Sequence, residues 1–162
     1  AVLRDDLGVP RAGARLVIGV AGESGSGKSI TATNLARHLT AGGASTAVLH
    51  QDDYFRRPPR VNHAHRLHDL AAVGPHEVDL ARIAEHVAAG PLVDYPNDRF
   101  VPQRHDFAAH AVLIVEGTYA LQLPDLDVRI FLAATHDETA ERRRARARDV
   151  DAPIIATILA LE

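Results

Sequence analysis

The chain has 162 residues, 46% of them apolar, with 18 basic and 21 acidic side chains and a net charge of −3. That length and apolar share suit one domain with a real core. The absence of cysteine excludes disulfides, thiolate catalysis and a zinc–thiolate site, and the acidic balance, with ten neutral histidines, argues against a broad nucleic-acid-binding face.

A polar leader over 1–14 precedes an apolar run over 16–21, the first predicted strand. Gly22-Glu23-Ser24-Gly25-Ser26-Gly27-Lys28-Ser29 follows, then a helical stretch over 30–39 stopped by Gly42-Gly43. A second strand over 46–50 runs into Gln51-Asp52-Asp53-Tyr54-Phe55. Residues 56–75, rich in arginine, proline and histidine without an apolar period, read as a long loop. Leu80, Ile83, Ala84 and Val87 recur at helical spacing within 79–89, which Gly90-Pro91 ends; residues 91–107 read as irregular. The unbroken apolar run over 111–115 predicts a strand buried on both faces and ends at Glu116-Gly117. A fourth strand is predicted over 128–132, an arginine-rich helix over 136–148, and a short helix over 153–161 with proline in its first turn.

Strands alternating with helices predict an α/β domain with a doubly wound, mostly parallel sheet. In such sheets ligands bind at the carboxyl ends of the strands, where Gly22 to Ser29, Asp52-Asp53 and Glu116 fall. There is no internal repeat or second domain. No apolar run is long enough to cross a bilayer and no signal segment opens the chain, so a cytoplasmic protein is expected. A chain that starts at Ala1 and lacks methionine reads as a trimmed form of a longer product.

Residues 22–29 form a complete G-x-x-x-x-G-K-S phosphate loop, and Lys28 is the only lysine in a chain with 17 arginines. Gly22, Gly25 and Gly27 allow the backbone to curl into a nest of amides, and the following helix points the positive end of its dipole at the same phosphates. Lys28 then supplies a point charge to the terminal phosphates and Ser29 a hydroxyl to Mg²⁺. Glu23, Ser24, Ser26 and Ile30 complete the expected nucleotide-binding set. The alternative, a glycine-serine linker ending in Lys-Ser, lacks the strand before and the helix after.

Phosphoryl transfer asks for positioning and charge neutralisation. Asp52 is placed to accept a proton from an acceptor hydroxyl and to lie near the metal, and Glu116 to hold Mg²⁺ through its waters. Arg142, Arg143, Arg144, Arg146 and Arg148 would neutralise a triphosphate as a lid, with Arg143 and Arg146 on one helical face. Bland readings stand beside these: Asp52-Asp53 as a turn or cap, Glu116 as the start of a loop, the arginines as a solvated face. His63, His65 and His68 read as exposed rather than as a metal site.

These pieces, with Pro91-Leu92-Val93-Asp94-Tyr95 and Val112-Leu113-Ile114-Val115-Glu116-Gly117, resemble the uridine kinase and phosphoribulokinase group of P-loop kinases over most of 16–149. The resemblance implies the three-layer P-loop fold with an arginine lid, and a last strand beyond Glu162. It implies ATP and Mg²⁺ as cofactors and a nucleoside, uridine or cytidine first, as acceptor. It makes Asp52 the general base, Glu116 the residue serving the metal site with Ser29, and Arg143 and Arg146 the lid cations acting with Lys28. Phe55 and Tyr95 would flank the acceptor, and Asp53, Tyr54 and Arg99 would complete its site. A homo-oligomer is compatible with this group.

The chain departs from the family where a sugar-binding aspartate belongs, since Ala71-Ala72-Val73-Gly74-Pro75-His76 carries no acid. Val93 and Asp98 stand where a tyrosine and a histidine are expected. Gln51-Asp52-Asp53-Tyr54-Phe55 and the arginine run also resemble nicotinamide riboside kinase, so the acceptor stays open. A nucleotide-controlled switch is the rival from another class. The sequence argues against guanine as its base, because an Asn-Lys-x-Asp reader needs a second lysine, and leaves an adenine-dependent regulator as the form of that rival.

Overall fold

The computed structural model describes residues 15–89, 93–96, 102–134 and 138–139. Its strands are β1 (Leu16–Gly22), β2 (Thr46–His50), β3 (Val93–Pro96), β4 (Pro102–His105), β5 (Val112–Glu116) and β6 (Val128–Leu132). The helices are α1 (Lys28–Ala41), α2 (Pro59–His68) and α3 (Leu80–Ala89). The four strands expected from the apolar runs pair in parallel in the spatial order β2-β5-β1-β6. Every residue of β1 and β5 is buried, as unbroken apolar strands require, whereas β2 and β6 flank them and are only partly covered.

Side chains alternate across this sheet and build a core on each face. Leu16, Ile18, Val20, Val112 and Ile114 meet Ala32, Leu35 and Leu39 of α1 on one side. Val17, Leu49, Leu113 and Val115 meet Ile83 and Val87 of α3, with Tyr54 and Phe107, on the other. Ile18 and Ile114 are fully buried, and each such side chain contributes roughly 1.5–3 kcal/mol to folding. Parallel strands sandwiched between helices all end on the same edge. Gly22, His50 and Glu116 therefore share one rim, with His50 and Glu116 directly paired in register.

The expected loop over 56–75 is corrected by α2 and by two short 3₁₀ turns, Leu70–Ala72 and Pro75–Glu77. Proline in its first turn presets the backbone for α2. Its inward face is polar rather than apolar, which is why no hydrophobic period marks it. Asn62 and Arg66, one turn apart, both donate to the Glu77 carboxylate, at 2.8 Å from Asn62 Nδ2 and 2.6 Å from Arg66 Nε. A second Arg66 bond of 2.8 Å and the Gly74 N–H at 2.9 Å complete the set around a side chain that is 1% exposed. Burial pushes the Glu77 carboxyl up, but the Arg66 bonds, the Gly74 N–H, the Arg66 charge and Asn62 outweigh it and hold it below the ordinary glutamate value.

Residues 91–107 are likewise not wholly irregular: β3 and β4 form an antiparallel pair, Val93 opposite His105 and Pro96 opposite Pro102. Each strand is four residues long and carries a proline, so neither alternation nor length announces it. The leader, most of the arginine-rich helix and the closing helix lie outside the described residues. Glu138 and Thr139 are helical. No described helix is long and apolar enough to cross a membrane.

Candidate active site

The phosphate loop joins β1 to α1 and takes the backbone form its glycines predict. Gly22, Gly25 and Gly27 have φ of 152°, 80° and 97°, all positive and favourable only to glycine. A Cβ on Gly22 would stand 2.7 Å from the Leu132 carbonyl oxygen and 2.8 Å from Ser26 Oγ, so this turn has no room for one. The Ser26 N–H donates to the Glu23 carbonyl at 3.1 Å, curling the loop on itself. Gly27 precedes α1 without a side-chain cap, and no acid lies in the first turn. No carboxylate of the helix's own first turn offsets its positive end. Lys28 Nζ donates to the Glu23 carbonyl at 2.8 Å, within the loop it is expected to serve. Ile30 lies on the outer face of α1, 63% exposed.

Two neighbouring strand ends bring the acids to this loop. Glu116, at the tip of β5, is buried, and its Oε1 accepts from Ser29 Oγ at 3.1 Å and from His50 Nδ1 at 2.7 Å. Asp52 follows His50 by two residues, in a 3₁₀ turn over Gln51–Tyr54. The residue is exposed overall, but protein crowds around its carboxyl. Loss of water there raises its proton affinity above the usual aspartate range, the Glu116 charge adds to this, Lys28 opposes it, and Asp53 adds again. His50 is raised above its ordinary value chiefly by its bond to Glu116, against the opposing effect of burial.

The turn carrying Asp52 is held from beneath. Gln51 is buried, and its Oε1 accepts from the Tyr119 N–H at 2.8 Å. Gly117 packs directly on the Gln51 side chain, so that a Cβ there would overlap Gln51 Cβ. Gly117→Ala is therefore expected to destabilise the fold by about 1–3 kcal/mol, as overpacking does, and to lower turnover by displacing the Asp52 turn. Urea midpoints and kcat, measured on the same preparation, check both effects.

The acceptor-side residues separate on inspection. Asp53 and Phe55 are half-buried; Phe55 forms a bridge with Val78, and the Arg66 guanidinium lies 5.9 Å from its ring centre. Tyr54 corrects the expectation. It is 2% exposed, points into the core, and its hydroxyl donates to His86 Nδ1 at 2.7 Å. Burial pushes the Tyr54 hydroxyl above its ordinary value and lowers His86, so the hydroxyl keeps its proton and the neutral ring accepts its hydrogen bond. The three-residue period of the 3₁₀ turn puts Tyr54 on the same inward face as Gln51, away from a ligand. Tyr95 lies on β3, opposite Gln103. Arg99, Arg143 and Arg146 lie outside the described residues. His63, His65 and His68 are exposed on α2.

Ser29 and the carboxylates offer hard oxygen donors, the set that Mg²⁺ takes, and they fit that ion. No group of three potential metal-ligating His, Cys, Asp or Glu side chains occurs among the described residues. That suits an ion held largely by phosphates and water rather than by a protein cage. Sequence reasoning passed over His50, Gln51 and the Arg66–Glu77 pair. The signal for His50 is its place at a strand tip two residues before the candidate base; its bond to Glu116 becomes visible only once β2 and β5 pair.

No protein-family model matches the chain. The uridine kinase of Leuconostoc citreum is 34% identical over 147 residues, which cover 84% of this chain and 69% of that one. The bifunctional alpha-galactosidase/sucrose kinase AgaSK of Mediterraneibacter gnavus is 31% identical over 91% of this chain, which spans only 18% of that protein. Among solved structures, a candidate fructose transport system kinase from Silicibacter sp. TM1040 is 25% identical with a TM-score of 0.66, covering 97% of this chain and 82% of the other. With a glycine-shaped phosphate loop, acids at the neighbouring strand tips and this identity across most of a curated relative, the chain belongs to the uridine kinase-like P-loop kinases.

Proposed function

We propose that the protein transfers the γ-phosphoryl group of ATP to a hydroxyl of a small acceptor, with a nucleoside such as uridine or cytidine the first candidate. The observation that carries this reading is the convergence on one rim of the phosphate loop, the Ser29–Glu116 bond of 3.1 Å and an aspartate whose proton affinity is raised. A switch needs a phosphate grip, but it has no use for a base poised beside it.

In this mechanism the loop amides and the N-terminus of α1 bind the polyphosphate. Lys28 exchanges its Glu23 carbonyl for phosphate oxygens. Ser29 and Glu116 would hold Mg²⁺, which when bound neutralises charge on the β- and γ-oxygens. Asp52 accepts the acceptor's hydroxyl proton and lies on the metal side of the site. Its raised proton affinity suits the task, since a base works best with a pKa nearer the working pH. Asp53 and Phe55 are assigned to the acceptor side, the family resemblance adds Tyr95 and Arg99 to the same site, and Arg143 and Arg146 are assigned to the lid.

A second acceptor class has an observation of its own. Glu77, the acid that follows the acid-free stretch 71–76, is committed to Arg66, Asn62 and Gly74 and cannot grip a ribose. Two of the similar proteins are named for kinases of sucrose and fructose systems, which makes a free sugar the alternative acceptor. Incubation with ATP and Mg²⁺ against uridine, cytidine, nicotinamide riboside, sucrose and fructose, read by mass spectrometry, decides between them. Phosphate gained by a nucleoside supports the first reading, and by a sugar the second. Slow ADP release indifferent to every acceptor favours the switch.

A further inference from the structure

We propose that His50 is a positioning residue for the cation side of the site, its Nδ1–H holding the Glu116 carboxylate in place for the ion that Ser29 and Glu116 would bind. The inference deepens the kinase reading and rests on it for the identity of the ion.

The geometry is specific. His50 and Glu116 are register partners on adjacent parallel strands, so their side chains leave the same edge of the sheet side by side. The bond between them is 2.7 Å, at the short end for a nitrogen donor and a carboxylate. Its two ends differ in burial: the His50 side chain is 43% exposed and that of Glu116 only 5%. The imidazole therefore does little for the core, while the carboxylate depends on its donors, because a buried charge without hydrogen bonds is costly. Its donors among the described residues are Ser29 and His50, both on Oε1. Ser29 belongs to the first turn of α1 and is itself expected to bind the ion. His50 belongs to the sheet, and so is the donor that fixes Glu116 independently of the loop. A carboxylate whose one oxygen is tied in this way keeps a single rotamer, and its other oxygen accepts no hydrogen bond from the described residues.

Further features bear on the role. Asp52 and Asp53 lie close enough to favour a proton on His50, in addition to Glu116 itself. The inference does not depend on His50 changing charge, since Nδ1–H donates to the carboxylate from the neutral ring as well as from the cation. Partners that hydrogen-bond a metal-serving group orient it, and their loss costs about 10–100-fold in metal affinity or activity.

The test compares His50→Ala with His50→Asn, whose side-chain amide nitrogen replaces Nδ1. ADP affinity is measured by titration calorimetry in excess Mg²⁺ and again in EDTA, and their ratio gives the gain due to the ion. His50→Ala is expected to lose about 10–100-fold of that gain with its EDTA affinity unchanged. His50→Asn is expected to recover most of the gain. A parent-like ratio in His50→Ala overturns the inference. So does an asparagine variant as poor as alanine, or an equal loss of affinity with and without Mg²⁺, either of which makes the imidazole a packing element. Thermal midpoints of both variants confirm that the folded protein is compared. The readout needs no acceptor, so a failed acceptor panel sinks the kinase reading while leaving this result interpretable, and the reverse also holds.

Discussion

Asp52→Asn is expected to turn over about 10²–10⁴-fold more slowly than the parent, the usual contribution of a positioned base, while its affinity for ATP stays nearly intact. Asparagine keeps the shape of aspartate but loses its negative charge and its ability to take a proton. The anchors of the turn, the Tyr119 N–H on Gln51 Oε1 and the Asp79 N–H on the Tyr54 carbonyl at 2.9 Å, do not involve the Asp52 side chain and hold the variant in place. Steady-state kinetics should therefore show kcat and kcat/KM falling together, the mark of an interaction made only in the transition state. Lys28→Ala provides the contrast. Losing a charged donor to the phosphates costs about 1.5–3 kcal/mol, and since those phosphates are gripped before as well as during transfer, both ATP affinity and turnover weaken. Parent-like turnover in Asp52→Asn would remove the base assignment.

Glu77→Gln carries the largest expected effect on stability. Removing one partner of a buried ion pair costs about 3–5 kcal/mol, and here the loss also leaves Arg66, whose side chain is 14% exposed, without its counter-charge. The sign of the pH dependence follows from the direction of the shift. Because the folded carboxyl is held below its ordinary value of 4.5, its contribution is complete above that value and disappears as the pH falls through the lower, folded one. Urea unfolding between pH 7 and pH 3 should show a wide gap between parent and variant near neutrality that narrows on acidification. A gap that is absent at pH 7, or that widens in acid, would contradict the assignment.

Much of this arrangement was legible in the residues. The four parallel strands were visible because β1 and β5 are covered on both faces and must be apolar throughout, and α1 because glycines bracket it. The phosphate loop announces itself through chemistry rather than periodicity. Helix α2 escaped because its inward residues are Asn62 and Arg66, and a search for apolar spacing is blind to a helix seated on a carboxylate. Tyr54 was misplaced for a related reason: a motif shows which residues gather, but the local turn decides which of them face inward. His50 was hidden because cross-strand neighbours lie 66 residues apart in the chain.

The segment from Gln51 to Arg56 is clasped at several points: by Tyr119, by the Asp79 N–H on the Tyr54 carbonyl, by the Arg56 N–H on the Glu77 carbonyl at 2.8 Å, and by the buried Tyr54–His86 contact. The proposed base Asp52 thus rides on a splint shared with α3, and the proposed acceptor would meet a fixed jaw. Any closing stroke belongs to parts of the molecule outside that splint, and a change of substrate during evolution would proceed by exchanging the jaw's teeth rather than by bending its bone.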